Sequence, residues 1–176
     1  MSQASKHLDW CLKKAEQEIA ECKKLGKKSK HRGLLKDEPN LEEAKKHLLK
    51  AEHNLTGITK FKTIGFSDWS ISAGFYCIYH CFLAIASKFG YQSRNQSCTI
   101  SLMRHLKEEN KINLDEKFIE LLEYEEMEDV GENSVIDLRE DYTYGLQISV
   151  KDESKIDELR KTCQEMIDLT KNILFS

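Results

Sequence analysis

The residues best suited to chemistry lie late in the chain, at Arg139-Glu140-Asp141-Tyr142-Thr143-Tyr144. Arginine is a permanent cation with a planar fork of donors, so it suits a phosphate; it equally suits a carboxylate on a neighbouring helix. Tyr142, three residues on, shares a helical face with Arg139, and Tyr144 follows. Together they could hold a phosphate and stack on a base. The alternative is an internal anchor, with Arg139 bonded to another helix and Tyr142 in the core.

Two further groups are candidates. Cys77, His80 and Cys81 fall within one helical turn, with both thiols on one face and His80 beside them. Zinc normally takes four ligands, and no second local pair is present, so core thiols next to a buried histidine are expected and no metal or other cofactor is assigned. The segment from Lys23 to Lys36 contains seven Lys/Arg and no acidic residue, broken by Gly26 and Gly33. It is expected to be a loop, either a solvated connector or a surface on which Lys27, Lys28, Lys30 and Arg32 contact nucleic-acid phosphates without reading sequence. No aromatic residue is interleaved there to stack on bases.

Several chemistries lack their motifs: there is no phosphate-binding glycine loop, no HExxH and no GxSxG elbow. The acids from Glu116 to Glu132, eight against one lysine, do not fall at a recognisable ligand spacing and suit a solvated helix face. The net charge of −3 hides a division: residues 1–62 carry 15 Lys/Arg against 9 Asp/Glu, and residues 63–176 carry 12 against 21. Such asymmetry can steer an acidic ligand to one end, or bring opposite ends of two protomers together. Six cysteines without a CxxC pair, after a polar opening unlike a secretory leader, are expected to be free thiols in a reducing cytoplasm.

The elements that must position these residues are helices. A length of 176 residues suits one domain over 1–176, and a single proline favours long uninterrupted helices. Leu8, Leu12, Ala15, Ile19 and Cys22 mark a first amphipathic helix. Asn40 caps a second, with Glu43 placed for a capping box, and Ala44, Leu48, Ala51, Leu55 and Ile58 form its stripe. Asp68 to Gly90 is apolar on every face and belongs inside a bundle. Ser67 or Asp68 is its expected cap, Trp69, Ile71, Phe75, Ile78, Phe82, Ile85 and Phe89 its core residues. The run Phe75 to Ala86 is read as too short and too polar at its flanks to span a bilayer, so no membrane is expected.

Ser97 or Thr99 is expected to cap a short helix, and Asn113 to Glu116 to open another bearing Phe118, Leu121, Leu122 and Met127. A turn is expected at Gly131, Asn133 and Ser134, then a short helix over Val135 to Tyr144. Asp152 caps the last helix, along which Ile156, Leu159, Cys163, Met166, Thr170 and Ile173 recur. No strand is convincing, although Gly145 to Val150 could be briefly extended. The fold class is all-α: an antiparallel helical bundle of four to five long helices plus short ones.

This order of features resembles the HEPN domain, the helical nucleotide-binding family of higher eukaryotes and prokaryotes. Two amphipathic helices precede a central helix of the form small-small-x-Tyr-x-x-Tyr-His, here Ala73 to His80. A glycine, Gly90, a short helix with His105, and a late Arg-x-x-Tyr from Arg139 to Tyr142 follow. The resemblance implies a HEPN-like bundle that commonly forms a homodimer, acting as a metal-independent endoribonuclease or as a noncatalytic partner of a nucleotidyltransferase. It also implies a setting in stress response, defence or a toxin–antitoxin system.

Catalytic members carry a histidine four to six residues after the arginine. Here no histidine follows His105. Tyrosine, with a pKa near 10, is a poor substitute as base at neutral pH. The reading is therefore a noncatalytic RNA- or nucleotide-binding protein, with Arg139, Tyr142, Tyr144 and His80 as ligand-binding residues. The alternatives are a ribonuclease with a displaced histidine and a protein–protein adaptor for a nucleotidyltransferase.

Overall fold

The structure, a computed structural model, describes residues 2–123 and 135–176. In chain order it contains α1 (Gln3–Lys24), β1 (Leu34–Lys36), α2 (Leu41–Thr63), α3 (Ser67–Lys88), β2 (Tyr91–Ser93), α4 (Gln96–Glu108), α5 (Glu116–Glu120), α6 (Val135–Tyr144) and α7 (Glu153–Phe175). Helix makes up 72% of the structure, so the fold is all-α. Contrary to the strand-free expectation, β1 and β2 pair antiparallel, with Leu35 opposite Gln92. This ribbon joins the end of the basic segment to the chain leaving α3. Gly145 to Val150 contributes no strand.

The centre is α3, flanked by α2 and α7. Ile71, Phe75, Ile78, Phe82 and Ile85 are buried as expected, whereas Trp69 is 52% exposed and Phe89 is half-buried. By length and composition α3 could cross a membrane, but 78% of its apolar window is buried by its neighbours. Gly74 lets α7 approach: a Cβ there would lie 2.4 Å from a methyl of Leu159. The Cys163 thiol, one turn further along α7, reaches the Gly74 carbonyl at 3.5 Å.

Helix senses differ in part from the expected antiparallel arrangement. His47 meets His80, and Ser70 bonds the Ile58 carbonyl, so α2 and α3 are antiparallel. Gly74 lies beside Cys163, and Lys88 donates to the Ile173 carbonyl, so α3 and α7 run in the same sense. The long connection through α4, α5 and α6 returns the chain to the starting end of α3, which makes a parallel neighbour possible.

The caps hold at two helices and shift at others. Asn40 accepts from the Glu43 N–H at 2.9 Å, but its own N–H donates to the Ser87 carbonyl, so the reciprocal half of the capping box is not formed. Asp152 accepts from the Ser154 N–H, as expected for α7, whereas Asp115, two residues beyond the expected Asn113, caps α5 by accepting from the Lys117 N–H. Phe66 precedes α3 without a side-chain bond, because the Ser67 hydroxyl accepts from the Val150 N–H at 2.8 Å instead. Asn95, not Ser97 or Thr99, caps α4. At Gly90, φ is +77° and a Cβ would sit 2.3 Å from the Asp37 carbonyl, so the turn after α3 requires glycine.

Helix α1 lies to one side, chiefly against α4 and β1. Its buried residues are Ala4, Leu8, Cys11 and Ala15, a face rotated from the expected stripe through Leu12, Ile19 and Cys22. The rotation brings Cys11 to Cys98, and the two form a disulfide. This corrects the expectation of six free thiols; Cys22, Cys77, Cys81 and Cys163 remain free. The expected turn at Gly131, Asn133 and Ser134 and the position of Met127 lie outside the described residues.

Candidate phosphate and base site at the α3–α6 seam

Helix α6 lies antiparallel along the first half of α3. The Thr143 and Ser72 hydroxyls meet at 3.2 Å at one end. At the other, the Arg139 guanidinium sits 4.4 Å from the centre of the Phe75 ring. Phe75 is itself braced by Tyr76 in an edge contact at 5.1 Å and by Tyr79 in a stack at 6.0 Å. The Tyr79 hydroxyl lies 3.4 Å from Thr99 on α4, and burial raises its pKa. Arg139 therefore stands on a rigid aromatic platform.

The internal-anchor alternative required a carboxylate or carbonyl on another helix. Among the described residues Arg139 has only its neighbour Glu140, at 3.6 Å, beyond hydrogen-bond distance. Its Nε is buried without a hydrogen-bond partner, and 17% of the side chain remains exposed. Arg104 provides the contrast: it donates to Glu116 at 3.1 Å and forks both terminal nitrogens onto Glu123. Arg104 is a satisfied structural cation; for Arg139 no hydrogen-bond acceptor is found among the described residues.

Tyr142 and Tyr144 diverge. Tyr142 is half-buried and lines a pocket of about 200 Å³ with Ile71, Leu138, Val150, Lys151, Asp152 and Lys155. Lys151 and Lys155, which the sequence reading did not select, supply positive charge there; both lie close to Asp152, so spacing alone gave no sign of it. Tyr144 is 78% exposed and extends into solvent.

His80 is not part of this seam. It faces α2, its Nδ1 3.0 Å from that of His47. Burial, then the His47 and Lys50 charges, lower its pKa to about 4, and burial lowers that of His47. His105 is also elsewhere, its Nδ1 3.2 Å from Ser5 Oγ and its Nε2 3.3 Å from Glu109. Neither histidine is brought to Arg139 within the chain.

The chain matches no protein-family model and no curated protein.

Cys77 and Cys81 do not converge with His80 on a common point. Cys77 hydrogen-bonds Cys163, which raises its pKa, and burial raises that of Cys81. Among the described residues no three His, Cys, Asp or Glu side chains are placed to hold a metal ion. In the basic segment, Lys27, Lys28, Lys30 and Arg32 are exposed beyond the end of α1, while His31 between them is buried. The Arg32 N–H donates to Glu18, tying the segment back to α1. Lys27 to Arg32 therefore lies beside α1, whereas Arg139 belongs to the α3 surface.

Proposed function

We propose that this is a HEPN-like protein that binds RNA or a nucleotide without cleaving it, Arg139 holding a phosphate beside Tyr142. The observation that carries the reading is the state of Arg139: packed on Phe75, partly exposed, and, among the described residues, not held by a carboxylate within hydrogen-bond distance. A guanidinium oriented by an aromatic ring loses little freedom when it closes on a phosphate. Lys151 and Lys155 at the Tyr142 pocket suit a second phosphate. Lys27, Lys28, Lys30 and Arg32 add sequence-independent attraction for a longer nucleic acid. Tyr144 is free to stack on an exposed base; His80 is withdrawn from the ligand role.

Noncatalytic action is favoured because His80 and His105 are engaged with other helices and neither lies beside Arg139. The proposal includes a homodimer with a nucleotidyltransferase as a partner, in stress response, defence or a toxin–antitoxin pair, which rest on the resemblance, and a cytoplasmic setting, which rests on the polar opening and the absence of a CxxC pair.

The test compares wild type and Arg139→Ala on labelled single-stranded and structured RNA in EDTA, following binding and cleavage together. Binding without cleavage, weakened about 10- to 100-fold by the substitution, is expected for loss of a charged hydrogen-bonding group. Cleavage by wild type, lost in the variant, would overturn the noncatalytic reading in favour of a metal-independent ribonuclease. Neither binding nor cleavage would replace it with the adaptor.

A further inference from the structure

The seam between α1 and α4 is a ladder of antiparallel pairs. Cys11 is bonded to Cys98, His7 Nδ1 meets Ser101 Oγ at 2.6 Å, Ser5 Oγ meets His105 Nδ1 at 3.2 Å, and Ser2 Oγ donates to Glu108 at 2.5 Å. Only one rung is covalent. The others are single polar contacts, each of which exchanges a bond to water for one within the protein and so gains little net. The apolar hold is equally slight: besides Cys11, α1 buries one leucine and two alanines along its 22 residues.

The disulfide is also isolated. Cys77, Cys81 and Cys163, buried together between α3 and α7, are reduced, as is Cys22. A chain built as an oxidised scaffold would pair such neighbours. One disulfide among reduced thiols is instead the pattern of a bond that forms and breaks. It closes a separation of 87 residues, so it strongly restricts where α1 can go.

We propose that the Cys11–Cys98 disulfide is a reversible latch that fixes α1 on α4, and that a dithiol reductant releases α1 while α2, α3 and α7 stay folded. In the step, one dithiol thiolate attacks a latch sulfur and the S–S bond breaks to a mixed disulfide. The second thiol then displaces the remaining cysteine. Two electrons and two protons pass to Cys11 and Cys98, and the dithiol leaves as a cyclic disulfide. Both cysteines are fully buried, so attack waits for α1 to lift at its polar rungs. Release removes Gln3, Ala4 and His7 from a cleft of about 930 Å³ and leaves Ser97, Ser101 and Arg104 of its other wall open to solvent.

The experiment is hydrogen exchange by mass spectrometry on the full chain, oxidised and in dithiothreitol, with Cys11→Ser/Cys98→Ser as a permanently released form. The expected result is at least tenfold faster exchange over residues 3–24 in the reduced and variant proteins, reversed on reoxidation of wild type, with α2, α3 and α7 unchanged. Iodoacetamide should then label Cys11 and Cys98 before Cys77, Cys81 or Cys163. Unchanged protection of α1 would overturn the proposal, since noncovalent contacts would suffice. Loss of protection in all helices together, or a variant that does not fold, would also overturn it, because the bond would then support the whole fold. So would a peptide map of the oxidised protein lacking the Cys11–Cys98 link.

Discussion

Two interfaces in this molecule hold their helices by opposite means. Between α3 and its neighbours α2 and α7 the contact is apolar: fourteen of the 22 residues of α3 are buried, among them Phe75, Ile78, Phe82 and Ile85. Between α1 and α4 four residues of α1 are buried, and polar pairs and one disulfide hold the seam. An apolar interface gains from every atom removed from water and is non-directional. A polar one gains little net energy, because each group exchanges one partner for another. The first interface sets global stability; the second sets whether one helix stays in place.

The comparison breaks most visibly at Phe82, which is fully buried within the apolar set. Phe82→Ala is expected to cost about 3–5 kcal/mol in chemical denaturation and to shift the whole transition. A cost below about 1.5 kcal/mol would mean that the interior collapses to fill the space, and that its packing is not what distinguishes it.

A smaller effect comes from the paired histidines where α3 meets α2. His80 faces His47 and Lys50, and its folded pKa is about 4, below the ordinary histidine value. A depressed histidine pKa means that the unfolded chain binds the extra proton more readily. The neutral pair's stabilisation is therefore present above about pH 6.5 and lost as pH falls toward about 4. Glu43 opposes the shift at His47 but does not outweigh burial. The thermal midpoint should fall between pH 6.5 and 5, and His80→Asn should flatten that fall. Equal slopes in both proteins would assign the acid sensitivity elsewhere.

The smallest effect belongs to the polar seam. His7→Ala removes the contact with Ser101 and should cost about 0.5–1.5 kcal/mol. In exchange measurements the loss should appear over residues 3–24 alone. A loss shared by α3 would show that the seam and the interior unfold as one unit, and would erase the contrast between them.

Much of the fold was legible because the signals were local. Asn40 and Asp152 begin helices by accepting N–H bonds from residues two or three positions on, which depends on nothing distant. The apolar residues of α3 face neighbours on every side, so their burial follows from their number. Trp69 escaped that logic: it lies in the first turn of α3, where the described helices leave it 52% exposed. Ser67 escaped as a cap because a distant N–H, that of Val150, took its oxygen.

The candidate site was legible in part. Arg139 and its helix could be read from the chain, and so could the missing histidine after it. Its support on Phe75 could not, since 64 positions separate the two. Nor could the divergence of Tyr142, into a pocket with Lys151, Asp152 and Lys155, from Tyr144 in solvent.

The sequence by itself determined that the chain is helical, where several of its helices begin, and that one apolar helix lies at the centre. Caps and periodicity are properties of neighbouring residues, and hydrophobic burial needs no particular partner. Tertiary structure alone decided that Cys11 meets Cys98, that His80 turns to His47 and away from Arg139, and that α3 and α7 run parallel. Each is a pairing between distant residues set by the rotation of one helix about its axis and by its place among the others. A four-residue buried face such as that of α1 is too small to announce that rotation beforehand.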